Sequence, residues 1–217
     1  DAHVGPAARV DFSRSLPETG FLKTGVFRAQ FLLEAVADLR ASLVARRRAL
    51  VVRAGSTREV VPALVRQHGV HTVFVHEGEA PEERDQLGAL QAALKKVGCE
   101  LNTTWGNTLY HIDDLPFDPR QQQGAFPPTA TNFRTKTEKN STVRPALPVP
   151  RTLKPAPGSS DADVAGHGDI PTLAALVGAD VAATHKRDAR GVFPFVGGET
   201  AALARLQDYF FDQNCLK

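Results

Sequence analysis

Two pairs of residues have side chains of the types that acid–base catalysis or metal binding uses. Their spacing does not clearly suit either role. Asp113 and Asp114 are neighbouring carboxylates, the groups that general acid–base catalysis uses in pairs. They fall in a predicted loop, so their side chains need not converge on one substrate. His71 and His76 flank a predicted strand, and their odd separation sends the two rings to opposite faces. We therefore expect neither a catalytic acid pair nor a shared metal ion.

The short motifs of many nucleotide-binding and hydrolytic enzymes are missing. The sequence has no GxxxxGK[ST] loop, no GxGxxG, no HExxH and no GxSxG. Residues 166–168 read Gly-His-Gly, but they lie in a predicted linker and do not follow a strand. Cys99 and Cys215 have no CxxC motif or Cys/His cluster near them, so we expect no zinc site, and a disulfide between them stays open.

The composition is that of an ordinary globular protein. The chain has 217 residues, of which 42% are hydrophobic and 23% charged, with a formal net charge of +2. This charge makes no strong case for a nucleic acid or an anionic membrane surface as a partner. No apolar run approaches the roughly 20 residues that a membrane-spanning helix needs. Methionine is absent even at position 1, which indicates a processed or truncated product, or part of a gene product.

The first half of the chain alternates predicted helices and strands. Residues 23–48 form the strongest predicted helix, with Thr24 as its N-cap and an apolar stripe at four-residue spacing, made of Phe27, Phe31, Ala35, Leu39 and Leu43. Strands are predicted at residues 49–53, 71–76 and 99–105, and residues 8–12 could be a further short strand. Helices at residues 57–68 and 81–97 separate the later strands. This alternation with short connections predicts the α/β class, a Rossmann-like parallel sheet flanked by helices.

Residues that begin and end helices support these boundaries. Ser56 and Glu59 have the spacing of a capping box, and Gly69 suits a left-handed C-cap. Pro81 suits the first position of the next helix. Glu82 and Glu83 then follow at the positive end of the helix dipole.

The second half of the chain has a different character. Residues 144–160 are rich in proline and have no periodicity, which predicts an extended linker. Residues 168–173 are predicted to dock the linker and to open a short helix. A final helix is predicted at residues 199–211, with an apolar face formed by Ala202, Leu203, Leu206 and Phe210.

Several short segments follow one another along the chain. They are KTG at residues 23–25 with its long helix, WGNTLYH at 105–111, DDLPF at 113–117, TNFR at 131–134, GDIPTL at 168–173 and FVGGETA at 195–201. In this order they resemble the photolyase/cryptochrome family, in its DASH cryptochrome branch, and WGNTLYH followed by DDLPF is the most specific match. Each segment is common alone, whereas their order and spacing extend over nearly the whole chain from Lys23.

The resemblance implies a domain organisation and a function. Residues 1–128 would be a photolyase-like α/β domain, residues 129–192 an interdomain linker, and residues 193–217 the start of a truncated helical domain that binds FAD. The full-length protein would be a blue-light photoreceptor or a DNA photolyase of the deoxyribodipyrimidine type, and this part would not be catalytic alone. DNA would be a partner of the full-length form only. A methenyltetrahydrofolate antenna could sit in the groove between the two domains.

The same resemblance suggests cofactor-binding residues, some of which have a simpler structural alternative. Glu82 and Glu83 could contact the pterin of the antenna, or only stabilise the start of their helix. Trp105 could line the antenna groove, or be ordinary packing. Phe133 and Arg134 could help to form the groove between domains. The GGE segment at residues 197–199 is expected to cap the last helix and to orient the domain junction.

Two departures from the family pattern bear on these expectations. The family's first strand, with its WFRxDLR segment, is not found upstream, so its neighbours in the sheet would be unpaired on one side. Leu87 also stands where relatives often carry another glutamate, which weakens the prediction of an antenna site.

A second function class stays open from sequence alone. The proline-rich segment and the apolar last helix would also suit a photolyase-derived, non-catalytic scaffold subunit of a larger organellar assembly, with a protein partner at the linker and last helix. An Ala- and Arg-rich composition, together with the resemblance, suggests an organelle, chloroplast or mitochondrion, or a bacterial source.

Overall fold

The computed structural model describes residues 24–78, 80–106, 108–119, 126–153, 168–186, 188, 190–191, 195–213 and 215. The chain divides into two compact units. The central unit comprises Val70–Thr152, and the outer unit comprises Asp1–Gly69 together with Leu153–Lys217. The predicted strand at residues 8–12 lies outside the described residues.

The central unit contains a parallel pair of strands with a helix between them in sequence. Strand β1 (Thr72–His76) pairs with β2 (Glu100–Thr104) from Thr72 opposite Glu100 to His76 opposite Thr104. Helix α3 (Pro81–Lys95) connects the strands and buries Leu90 and Leu94. A 3₁₀ turn (Ile112–Asp114) and helix α4 (Ala130–Asn140) complete the unit. The α/β class, with a parallel sheet flanked by helices, is therefore confirmed.

The outer unit is helical in its described residues. Its elements are α1 (Val26–Ala45), α2 (Thr57–His68), α5 (Leu173–Val177), α6 (Ala179–Thr184) and α7 (Glu199–Gln207), the last continued by a π-helical turn over Asp208–Asp212. Gly69 ends α2 at φ 61°, as predicted. Two local predictions are wrong. The N-cap of α1 is Gly25 and not Thr24, and Ser56 occupies the N-cap of α2 without a capping hydrogen bond from its side chain.

The predicted strand at residues 49–53 is also wrong. The segment has no strand or helix assignment and forms no ladder within the described residues. Its carbonyl groups meet side chains, since Arg40 donates to Leu50 O at 3.4 Å and Arg53 Nη1 donates to Val52 O at 2.8 Å. Arg40 also donates to Gly168 O at 2.7 Å. Gly168 lies so close to Val52 that a Cβ there would overlap the Val52 carbonyl oxygen. Gly168 of the docking segment thus lies against this backbone, and the short helix predicted there begins at Leu173.

The face of α1 that packs is not the four-residue apolar stripe. Ala29 is buried with Leu176 and Val177 of α5, and Val26, Leu33, Leu173 and Ala182 pack around them. Phe27 and Phe31 of the stripe are instead 63% and 49% exposed. The last helix shows the same property, because the apolar side chains of its predicted face, Leu203, Leu206 and Phe210, are exposed.

The connecting segment has little regular structure where it is described. Residues 142–153 form neither helix nor strand, which agrees with the predicted extended linker, and residues 154–160 of that prediction lie outside the described part. Among the described residues, no helix combines the length and the apolar character needed to cross a bilayer.

Candidate functional site

The start of α3 holds the first two predicted site residues. Pro81 takes the first helical position, and Glu83 Oε2 accepts a hydrogen bond from Ala80 N at 3.3 Å. Glu82 Oε1 accepts from Gln86 Nε2 at 3.5 Å along the helix. Both carboxylates therefore take part in stabilising the helix end, and both remain exposed to solvent.

The loop after β1 is shaped by one of these carboxylates. A Cβ placed on Gly78 would overlap the Glu83 side chain, whose Oε2 would be 2.9 Å away. Glycine at residue 78 is thus the residue that lets the loop fold back over the start of α3.

Trp105 follows β2 directly. Its indole Nε1 donates to Thr108 Oγ1 at 2.8 Å, and that hydroxyl donates to Tyr110 O at 2.7 Å. The next residue, Gly106, lies against the ring of His76, because a Cβ there would be 2.7 Å from His76 Nδ1. His76 is the last residue of β1, so these side chains mark the carboxyl end of the sheet.

The parallel strands bring two of the predicted groups to the same edge. α3 begins five residues after β1 ends, and Trp105 comes immediately after β2. Ligands of open parallel sheets bind at the carboxyl ends of the strands. Glu82, Glu83 and Trp105 consequently lie at the edge of the sheet where an α/β protein places a ligand, with His76 as a neighbour that sequence reasoning did not select.

Phe133 packs with Phe117 and Phe126, and these three rings form what we call the aromatic cluster. The ring centroids are 5.5 Å apart for Phe117 and Phe133, and 5.8 Å for Phe126 and Phe133. Lys136 Nζ is 5.6 Å from the centre of the Phe117 ring, at the range of a cation–π contact. Arg134, next to Phe133 on α4, is exposed. Sequence reasoning selected Phe133 but missed its two ring partners.

The adjacent acids Asp113 and Asp114 separate, as their position in a turn suggested. Asp114 pairs with Arg144, and Asp113 Oδ2 is 3.5 Å from His111 Nδ1. Hydrogen bonds and charge from Arg144 lower the pKa of Asp114 and raise that of the arginine. The pair fastens the segment after α4 to the 3₁₀ turn, where Ser141 Oγ also donates to Asp114 O at 2.7 Å. Over the described residues, no group of three or more potential metal ligands is found.

Comparison with known proteins agrees with this architecture. The family model of DNA photolyase matches residues 8–154. Cryptochrome DASH of Gloeobacter violaceus is 43% identical over 198 residues, which cover 91% of this chain and 37% of the relative. The chloroplastic/mitochondrial Cryptochrome DASH of Arabidopsis thaliana is 37% identical over 199 residues, covering 91% of this chain and 32% of the relative.

A solved structure gives the same result. The Synechocystis cryptochrome matches with a TM-score of 0.76 and 33% identity, over 90% of this chain and 38% of that one. The chain spans about a third of the length of these relatives, from 32% to 38%. It belongs to the photolyase/cryptochrome family, in the DASH cryptochrome branch, and corresponds to the N-terminal α/β part of those proteins.

Proposed function

We propose that this chain is the antenna-binding part of a DASH-type cryptochrome or photolyase that absorbs blue light in its full-length form. Residues 1–128 serve as the α/β domain, residues 129–192 as the linker, and residues 193–217 as the first part of the helical domain that holds FAD. The chain alone carries out no repair of DNA in this proposal, because the flavin-binding part is the site of the photochemistry.

The observation that carries the antenna proposal is the placement of Glu82, Glu83 and Trp105 at one end of the sheet. The residues fit a folate in chemical type, since carboxylates accept hydrogen bonds from the amino and ring N–H groups of a pterin. The Trp105 N–H is already bonded to Thr108, so the contribution of this residue to a ligand is the apolar surface of its ring. When bound, the folate would supply light absorption, and the protein would supply orientation.

Phe133 and Arg134 belong to the same proposal as residues of the groove. The aromatic cluster holds Phe133 in place through Phe117 and Phe126, and the exposed guanidinium of Arg134 next to it can pair with an acidic group. In a folate the acidic group is the glutamate tail. Arg134 would thus contact the tail, whereas Glu82 and Glu83 would contact the pterin.

A titration of the chain with methenyltetrahydrofolate tests the antenna proposal. We expect Glu82→Gln and Glu83→Gln to weaken binding by about tenfold, the effect of one charge-assisted hydrogen bond. Glu59→Gln is the matched control, because Glu59 lies in the first turn of α2 and loses the same interaction with a helix dipole. Equal effects of all three substitutions, or no binding by the unchanged chain, would reject the antenna site.

The absorption spectrum of the native protein tests the wider proposal. We expect the spectrum to show the blue absorption of a flavin, and we expect the mass of the same protein to exceed the 23.4 kDa of this chain. Stoichiometric FAD on the 217-residue chain, with light-driven repair of thymine dimers, would contradict it. The scaffold alternative is not favoured, because the family model and the relatives described above are photolyases and cryptochromes.

We also propose an organellar location for the protein. The name of the Arabidopsis relative places that protein in chloroplasts or mitochondria. Fractionation of the source cells with an antibody to this chain tests the proposal, and a signal confined to the cytosol would refute it.

A further inference from the structure

The backbone that leads into α7 lies directly on α1. Gly197 N donates to Glu34 Oε2 at 2.7 Å, and Thr200 N donates to Asp38 Oδ2 at 3.1 Å. Glu34 and Asp38 are four residues apart on α1, so their carboxylates share one helix face. Two side chains of α1 thus accept hydrogen bonds from two backbone N–H groups at the start of α7.

Helix α7 has no capping side chain of its own. Its N-cap is Gly198, which has no side chain, at φ +115°. The first N–H groups of any helix lack partners within the helix, and an N-cap side chain normally accepts from the second or third residue. Glu199 is the first residue of α7 and Thr200 the second. The Asp38 carboxylate therefore occupies the place of the missing cap.

The two glycines are required by this close approach. A Cβ on Gly197 would overlap the carbonyl oxygen of Phe31 and would lie 3.0 Å from Ala35 N. A Cβ on Gly198 would lie 2.6 Å from Asp38 Cβ, and its positive φ also disfavours other residues. The pair Gly197-Gly198 is thus explained by contact with α1.

A second polar contact orients Glu34. Gln30 Nε2 donates to Glu34 Oε1 at 2.8 Å, and Gln30 Oε1 accepts from His185 Nε2 at 2.5 Å. Both carboxylate oxygens of Glu34 are therefore engaged, one by Gln30 and one by Gly197. The hydrogen bonds run from His185, the C-cap of α6, across α1 to the start of α7.

We propose that Asp38 caps α7 from α1 while Glu34 holds the residue before the N-cap, and that the two carboxylates form, with Gly197, Gly198 and Thr200, a latch that fixes the direction of α7. The hydrogen bonds from Thr200 also lower the pKa of Asp38, which keeps the carboxylate charged beside the positive end of the helix dipole. The latch sets where the exposed side chains Leu203, Leu206 and Phe210 point. It does not depend on the binding of a chromophore.

Amide hydrogen exchange of the full chain tests the latch. We expect Asp38→Ala to raise exchange at Thr200 and the next amides of α7 by about tenfold, and Glu34→Ala to do the same at Gly197 first. Gln30→Leu should give a smaller increase, confined to Gly197, because it leaves both carboxylates present. Asp85→Ala on α3 and Glu138→Ala on α4 remove exposed acids outside the latch and are the matched controls.

The amides of β1 and β2 are the internal reference, since these strands belong to the other compact unit. A selective rise in exchange around residues 197–204 supports the latch. Exchange within about twofold of the unchanged chain for both Asp38→Ala and Glu34→Ala would overturn it. A uniform rise in every element would also overturn it, because a latch acts locally.

Discussion

Arg144 binds the carboxylate of Asp114 through both of its oxygens. Arg144 Nη2 is 2.8 Å from Asp114 Oδ1, and Arg144 Nε is 2.5 Å from Asp114 Oδ2. The two residues are 30 positions apart in the chain, so the pair closes a loop that contains α4 and the aromatic cluster. A bidentate pair of this kind fixes geometry as well as charge.

This ion pair makes the segment after α4 sensitive to acid. The hydrogen bonds from Arg144 hold the pKa of Asp114 below its ordinary value of 3.8. A carboxylate with a lowered pKa stabilises the fold at pH values above the ordinary pKa, and the stabilisation is lost as the pH falls through the lowered pKa. We expect Arg144→Gln to return the pKa of Asp114 toward 3.8, as measured by NMR titration. Arg151→Gln is the control, and an unchanged Asp114 pKa in Arg144→Gln would contradict the role of the pair.

Substitution of Leu94 tests whether α3 and the sheet form the core of the central unit. Leu94 is 0% exposed, so its replacement by alanine leaves a cavity. We expect Leu94→Ala to lower the free energy of unfolding by about 2–5 kcal/mol, measured by urea denaturation. Leu109 is 71% exposed, and Leu109→Ala should change stability by less than about 0.5 kcal/mol. Similar losses for the two variants would show that α3 does not form the core of this unit.

Elements with strong local signals could be predicted from the sequence. The predictions of β1, β2 and α3 are correct, because local signals such as a short apolar run, Pro81 and Gly98 mark where these elements begin and end. The prediction of a strand at residues 49–53 is not correct, although the segment is equally apolar, because a strand exists only where another strand accepts its hydrogen bonds. Here the Leu50 carbonyl accepts a hydrogen bond from Arg40, and the Val52 carbonyl lies against Gly168, a contact between residues far apart in sequence.

The candidate site shows the same division between local and long-range information. The positions of Glu82 and Glu83 follow from a helix start that the sequence specifies. The neighbours of Phe133, and the contact between His76 and Gly106, depend on how separate segments pack. The capping of α7 by Asp38 could not be predicted either, since 162 residues separate Asp38 from Thr200.

Trp105 offers a direct optical test of the site at the carboxyl end of the sheet. It is the only tryptophan in the chain, so intrinsic tryptophan fluorescence reports on this position alone. If its ring contacts the folate, binding should quench the fluorescence, and Trp105→Phe should keep most of the affinity because an aromatic ring remains. Trp105→Ala should lose about tenfold or more. Thr108→Val removes the acceptor of the indole N–H and is the control for an indirect effect. Unaltered fluorescence at saturation would show that the ligand binds elsewhere.

Phe133 and Arg134 are neighbours on α4 with separable roles. Phe133 packs with Phe117 and Phe126, so Phe133→Ala should lower the free energy of unfolding by about 1–3 kcal/mol and also weaken folate binding.

Arg134 is exposed, and Arg134→Gln should leave stability unchanged while it weakens binding of folates that carry a glutamate tail. The measurement is a comparison of affinity for methenyltetrahydrofolate and for a pterin without the tail. A loss that is equal for the two ligands would place Arg134 away from the tail, and no loss for either would exclude it from the groove. Lys139→Gln, which removes another exposed cation from the same helix, controls for a general effect of charge.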